Sequence, residues 1–90
     1  MPQYVIERTL PGAGSLSADQ LKDVAQKANG ALEELGPSIT WEHSYVTGDK
    51  LYCVYAAPNA EIIREHAERS GLPADRVQEV TSVINPATAD

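Results

Sequence analysis

Hydrophobic and polar residues alternate along this chain with two different periods, and the switches between them mark the elements. Gln3 to Leu10, QYVIERTL, alternates with period two and predicts a first strand, which Pro11-Gly12-Ala13-Gly14 ends. Leu21, Val24, Ala25, Ala28, Leu32 and Leu35 then recur at helical spacing, as one apolar stripe. Ser17 and Gln20 form a capping-box pattern ahead of this helix, and Gly36-Pro37 stops it. Asn29-Gly30 inside the pattern weakens it, by ~1 kcal/mol for the glycine.

Period two returns in Ile39 to Ala57, ITWEHSYVTGDKLYCVYAA, which predicts a hairpin turning at Thr47-Gly48-Asp49-Lys50. Gly48-Asp49 supplies the residue types a tight turn needs where φ is positive. Strict alternation places Ile39, Trp41, His43, Tyr45 and Thr47 on one face and Thr40, Glu42, Ser44 and Val46 on the other. It also sorts Leu51, Cys53, Tyr55 and Ala57 from Tyr52, Val54 and Ala56. Asn59 can cap a second helix, Ala60 to Ser70, in which Ile62, Ile63, His66, Ala67 and Ser70 share a face and Gly71 ends the helix. Arg76 to Ile84 reads as the last strand; its apolar residues Val77, Val80, Val83 and Ile84 fit neither parity, which predicts a bulge or two-sided burial.

The order strand, helix, strand, strand, helix, strand predicts a ferredoxin-like α+β fold: a two-layer βαββαβ sandwich with both helices on one face of a four-stranded antiparallel sheet. Residues 1–90 form one domain in this reading, with an ordered core of about 3–84 and a tail over 85–90. The other sheet face then has no partner within the chain. Strand faces carrying Trp41, Tyr45, Tyr4 or Tyr55 are too apolar to stay wet, so two copies are expected to pack sheet to sheet as a homodimeric α+β barrel. A chain this short buries only ~60% of its unfolded surface, which favours such a device.

Charge removes several function classes. The net charge is −6 and the seven Lys and Arg are scattered, which disfavours nucleic acid and anionic membranes. No apolar run approaches ~18 residues and no charged-then-apolar start is present, so neither a membrane span nor a secretion signal is expected. A single cysteine excludes an internal disulfide and fits a reducing, cytoplasmic setting. The PGAGS loop lacks the Lys-Ser/Thr of a P-loop and the third glycine of a dinucleotide loop, so it reads as a plain connection.

Few residues can carry chemistry. Cys53 reads first as a small buried apolar residue, and secondly as a thiolate ligand or nucleophile, with no CxxC or adjacent base to mark it. His43 shares the Trp41/Tyr45 face, and His66 lies on the apolar stripe of the second helix, where it needs a polar partner or a metal. Glu7 and Glu79 are mid-strand acids on the first and last strands, neighbours in this fold, so they could approach each other or His66. Imidazole, thiolate and carboxylate together suit Ni, Cu or Zn. Without CxxC or HxxxH spacing, such ligands must converge from separate elements.

The segments YVIERTLPG, WEHSYV…DKLYCVYAAP and IIREHAERSGLPADRVQEV resemble a family of small bacterial domains named for a nickel-binding member that has a ferredoxin-like fold and forms dimers. The resemblance runs from about Tyr4 to Val83, and its best-matching pieces are Glu7, Cys53, His66, the Gly71–Asp75 run and Glu79. Ser70 stands where some members carry a His before the helix-ending glycine, and Thr9 or Arg8 where they tend to carry another. The resemblance implies nickel as the ion, with His43, His66, Cys53 and Glu7 as candidate ligands and Glu79 as a further acid. The alternative is a small-molecule enzyme or binder in which Trp41, Tyr45, Tyr55 and Tyr4 line a pocket between helices and sheet, with His43 or His66 as acid or base. Whether these aromatics enclose a cavity or fill a dimer interface separates the two. A third reading is an interaction domain without chemistry, its histidines and cysteine buried apart and each satisfied.

Overall fold

Four strands and two long helices follow one another in the order the hydropathy predicts. The computed structural model describes residues 1–90: β1 (Gln3–Thr9), α1 (Ala18–Leu35), β2 (Thr40–Val46), β3 (Lys50–Ala56), α2 (Ala60–Ser70) and β4 (Arg76–Glu79), with short 3-10 turns at Ala13–Ser15 and Pro86–Ala89. All pairings are antiparallel and the sheet order is β2-β3-β1-β4, which is the ferredoxin-like arrangement. No helix is long and apolar enough to cross a membrane.

The helices begin and end where their capping residues dictate. Ser17 and Gln20 make both halves of a capping box. The Asn59 side chain accepts the Ile62 N–H at 3.0 Å. Gly36 (φ 84°) and Gly71 (φ 74°) occupy conformations that other residues adopt only with strain, and both helices stop there. Helix α1 runs through Asn29-Gly30 without a break, because Ala28 and Ala31 on either side are buried and their packing outweighs the local propensity.

Alternation along β1 and β3 sends Tyr4, Ile6 and Arg8, with Leu51, Cys53 and Tyr55, toward the helices, where Ile63 of α2 joins them and Val24, Leu32 and Leu35 of α1 pack against them. Only 15 of the 90 residues are buried, since nothing in the chain covers the opposite face of the sheet. That face carries Val5, Tyr52 and Val54, each half-buried.

Two expectations about local structure are corrected. The hairpin turn does not use positive φ at Gly48 or Asp49; positive φ occurs only at Gly12, Gly36 and Gly71. Instead the Thr47 N–H and hydroxyl both donate to the Lys50 carbonyl, at 2.9 and 3.1 Å. The PGAGS loop braces the turn from outside: Leu10 N–H donates to Asp49 O (2.8 Å), Gly14 N–H to Gly48 O (3.0 Å) and Gly12 N–H to Asp49 Oδ1 (3.0 Å). A Cβ on Gly14 would stand 3.0 Å from both Gly48 Cα and Thr47 O, so this close approach requires glycine.

The last strand stops at Glu79 rather than Ile84. Its partner β1 runs out: Val80 N–H donates to Gln3 O at 2.8 Å, and the residue before Gln3 is Pro2, which has no N–H and whose carbonyl already accepts from Ala57. Val83 and Ile84 are left exposed beyond the sheet.

Candidate functional site

A β-bulge in β2 decides which side chains can meet. Trp41 pairs with Tyr55 but His43 pairs with Val54, so Glu42 is an extra residue with no partner of its own. The bulge reverses the alternation beyond it. Ser44, opposite Cys53, and Val46, opposite Leu51, turn toward the helices with Trp41. His43 and Tyr45 turn to the open face, where their rings meet edge-on at 5.1 Å. The strict alternation that grouped Trp41, His43 and Tyr45 is therefore corrected. Glu42 also reaches over the open face, accepting from Gln3 Nε2 at 2.8 Å.

The sheet divides the expected metal ligands. Cys53 and His66 lie on the helix side, His43 and Glu7 on the open side. Glu7 aligns with Tyr52 and Tyr45, His43 with Val54 and Val5, so these two stand two strands and one row apart, roughly 10 Å or more. The Glu7 carboxylate is held by Lys50 Nζ at 3.0 Å, with Arg76 Nε at 3.8 Å. Nor do Glu7 and Glu79 approach each other: Glu7 faces Arg76 and Glu79 faces Tyr4, positions of opposite parity on β1. Within one chain no three His, Cys, Asp or Glu side chains gather closely enough to hold a metal ion, so the convergence of His43, His66, Cys53 and Glu7 on one point is corrected.

A residue not proposed as a site residue stands at the centre of the helix side. Arg8 is fully buried. Its Nε donates to Cys53 Sγ at 3.4 Å, its Nη1 donates to the Pro73 carbonyl at 2.7 Å, and its Nη2 has no partner. No carboxylate pairs with it; Asp75 senses its charge but is exposed and accepts the Thr9 N–H instead. The parity Tyr4, Ile6, Arg8 pointed inward all along, but an arginine in a strand is read by default as solvated or paired.

His66 is equally buried. Its Nε2 lies 2.9 Å from the Ala28 carbonyl, which can only accept, so Nε2 carries the proton and Nδ1 is a bare acceptor without a donor. The Tyr55 ring lies 5.0 Å from the imidazole. Burial pushes the Tyr55 phenol up to about 12, against the pull of the Arg8 charge. Burial also lowers His66 below its usual 6.5; the Ala28 hydrogen bond opposes this and the Arg8 charge adds to it.

The lowered His66 value has a consequence for stability. Between the folded value and 6.5 the unfolded chain binds more protons than the folded one, so stability rises with pH in that window. Thermal melts are therefore expected to be flat above about pH 7 and to fall as pH drops through 6.5. His66→Gln, which can still donate to Ala28, should flatten that fall; an unchanged slope would assign it to other groups.

Between the first half of α1 and the β2–β3 hairpin lies a cavity of about 190 Å³. Leu21, Val24 and Ala25 wall it from α1, and Trp41, Cys53 and Tyr55 from the sheet. Ser44 is the one polar residue of its lining, and its hydroxyl takes the Trp41 indole N–H at 2.9 Å. The Trp41 and Tyr55 rings are near parallel (17°), with centroids 6.4 Å apart. Of the four aromatics expected to line a pocket, two do so; Tyr45 lies on the open face and Tyr4 belongs to the buried core.

Residues 4–80 match the family described as nickel responsive protein, SCO4226-like. No curated protein matches the chain. Among solved structures it is similar to SCO4226 from Streptomyces coelicolor A3(2), with a TM-score of 0.75 and 24% identity over 91% of this chain and 99% of that one, a likeness of fold. The match spans the same first strand, hairpin and second helix on which the sequence resemblance rests, and with it the chain belongs to the SCO4226-like family of nickel-responsive proteins.

Proposed function

We propose that this protein binds a divalent transition-metal ion, nickel being the one its family's description points to, as a homodimer closed through the open faces of two sheets. One observation carries the reading: the bulge in β2 turns two consecutive metal-capable side chains, Glu42 and His43, onto the same uncovered face. The His43 imidazole is exposed and makes no hydrogen bond, so its nitrogens are free to ligate. One chain supplies two donors there, and a two-fold partner supplies the same two again, a set of imidazoles and carboxylates suited to nickel or zinc. Half-buried Val5, Tyr52 and Val54, with Tyr45 61% exposed, form an apolar strip that a second copy would cover.

The other candidates take lesser parts in this reading. Cys53 is in contact with the Arg8 cation, and His66 is fully buried within reach of the same charge, which repels a second cation from both. Glu7 is neutralised by Lys50.

Calorimetric titration with Ni, Zn and Cu at about pH 7.5, with light scattering on the same samples, tests this. Expected are binding heat at tens of micromolar metal, one ion per two chains, and a loss of at least about tenfold in His43→Ala but not in His66→Gln. Affinity should fall as pH drops through the range where imidazole titrates, because the ligand must be neutral. No heat with nickel, or full binding by His43→Ala, removes the proposal.

A further inference from the structure

We infer that the cavity between α1 and the β2–β3 hairpin is a binding site for a small uncharged ring compound carrying one carbonyl oxygen, with the Ser44 hydroxyl as its hydrogen-bond donor. The cavity lies on the opposite side of the sheet from His43, so nothing in this inference depends on the metal reading.

The first observation is that the space is held open. The loop ahead of α1 is tied to the hairpin tip, Gly14 N–H donating to Gly48 O at 3.0 Å and Leu10 N–H to Asp49 O at 2.8 Å. Further along, the Ala28 carbonyl is tied to α2 through His66 Nε2 at 2.9 Å. Leu21, Val24 and Ala25 lie between these two anchors and line the cavity. With both anchors fixed, the helix cannot settle onto the hairpin, and about 190 Å³ stays unfilled. An unfilled apolar space costs stability in proportion to its volume, and an occupant of matching shape restores the missing contacts. A preformed cavity also spares the ligand the cost of ordering the protein around it.

The second observation is the chemistry of the walls. No Asp, Glu, Lys, Arg or His lines the cavity; Arg8 stands behind Cys53, outside the lining. An ion placed there would lose its water and gain no partner, so the occupant is uncharged. Trp41 and Tyr55 are cross-strand neighbours whose near-parallel rings (17°) offer flat faces to a ring. An apolar cavity of about 150 Å³ holds benzene, so this one, of about 190 Å³, takes one ring with a short side group. Leu21, Val24, Ala25 and Val46 are only partly covered, which opens the cavity to solvent between α1 and the hairpin.

The third observation is the single polar handle. Ser44 Oγ accepts the Trp41 indole N–H at 2.9 Å, while its own O–H donates to no group of the protein. The contact with Trp41 fixes the oxygen in the wall and leaves its proton for a ligand. A carbonyl oxygen accepts that proton without bringing a second donor, which these walls could not satisfy.

Nuclear magnetic resonance of metal-free protein, in the presence of a chelator, tests this. Acetophenone should shift the methyl resonances of Leu21, Val24 and Leu72 saturably, with Kd below about 1 mM. Ethylbenzene, the same ring without the oxygen, should bind about fivefold more weakly, and benzoate at least about tenfold more weakly. Ser44→Ala should bind acetophenone and ethylbenzene alike; retained ethylbenzene binding shows that the cavity survives the loss of Trp41's partner. Should ethylbenzene binding be lost as well, Ser44→Thr decides instead: it keeps the hydroxyl and should keep the preference for the ketone. Ala25→Leu should abolish both by filling the space, with the dispersion of its spectrum showing that the fold is retained. The inference is overturned if acetophenone gives no saturable shift, or shifts the open face instead. It is equally overturned if ethylbenzene or benzoate binds the parent as tightly, if Ser44→Ala keeps the preference, if Ser44→Thr loses it, or if folded Ala25→Leu binds acetophenone unchanged.

Discussion

Tyr55→Ala is expected to leave the domain barely folded. Tyr55 is 1% exposed, lies against Trp41 on one side and His66 on the other, and belongs to both the core and the cavity wall. Truncating a buried aromatic to alanine costs about 3–5 kcal/mol. At about 0.05–0.15 kcal/mol per residue, a domain of this length has roughly 5–13 kcal/mol to lose. Urea denaturation followed by circular dichroism should show the midpoint collapse, and a change of under about 1 kcal/mol would mean that the ring does not hold the two layers together.

Tyr55→Phe separates the ring from its hydroxyl. It keeps the packing and should cost less than about 1.5 kcal/mol. The phenol's folded value is raised from 10.0 to about 12, so its contribution is complete below 10.0 and is lost as pH rises toward 12. Tyr55→Phe should therefore lose less stability than the parent over that alkaline range.

Arg8→Met is expected to act in the opposite direction, raising the stability of the ligand-free protein. The substitution gives up a charge-assisted hydrogen bond to the Pro73 carbonyl, worth about 1.5–3 kcal/mol, and a weak contact to sulfur. Against this stands the desolvation of an unpaired ion, several kcal/mol even after relaxation, which methionine does not incur. Methionine also fills the space of the arginine stem. A net gain of about 1–3 kcal/mol follows, and at 4–8 °C per kcal/mol for a domain of roughly this size the melting temperature should rise measurably. A fall in stability would show that the protein already compensates the charge.

Which parts of this architecture the chain announces, and which it conceals, follows from how local each determinant is. The capping residues of both helices, the stop signals at Gly36 and Gly71, and the type of each successive element are set by neighbours within about four residues of one another, where steric and hydrogen-bonding rules act directly. The bulge at Glu42 is different. The segment TWEHSYV satisfies strict alternation through Trp41 and Tyr45, and equally the shifted pattern through Trp41, Ser44 and Val46. Only the ladder to β3, with Leu51, Cys53 and Tyr55 committed to the core, selects the second.

The site depended on the same decision. His43, His66, Cys53 and Glu7 are all visible as metal-capable residues, yet one extra residue in β2 and the parity of β1 send two of them to each side of the sheet. Arg8 was visible by parity, but its burial without an acid becomes apparent only when every neighbour is in place. The order of elements and the caps were thus determined by the chain alone, because they rest on contacts between residues near in sequence. Which face each functional side chain occupies was decided by the tertiary structure, because pairing register and burial arise between strands that are far apart along the chain.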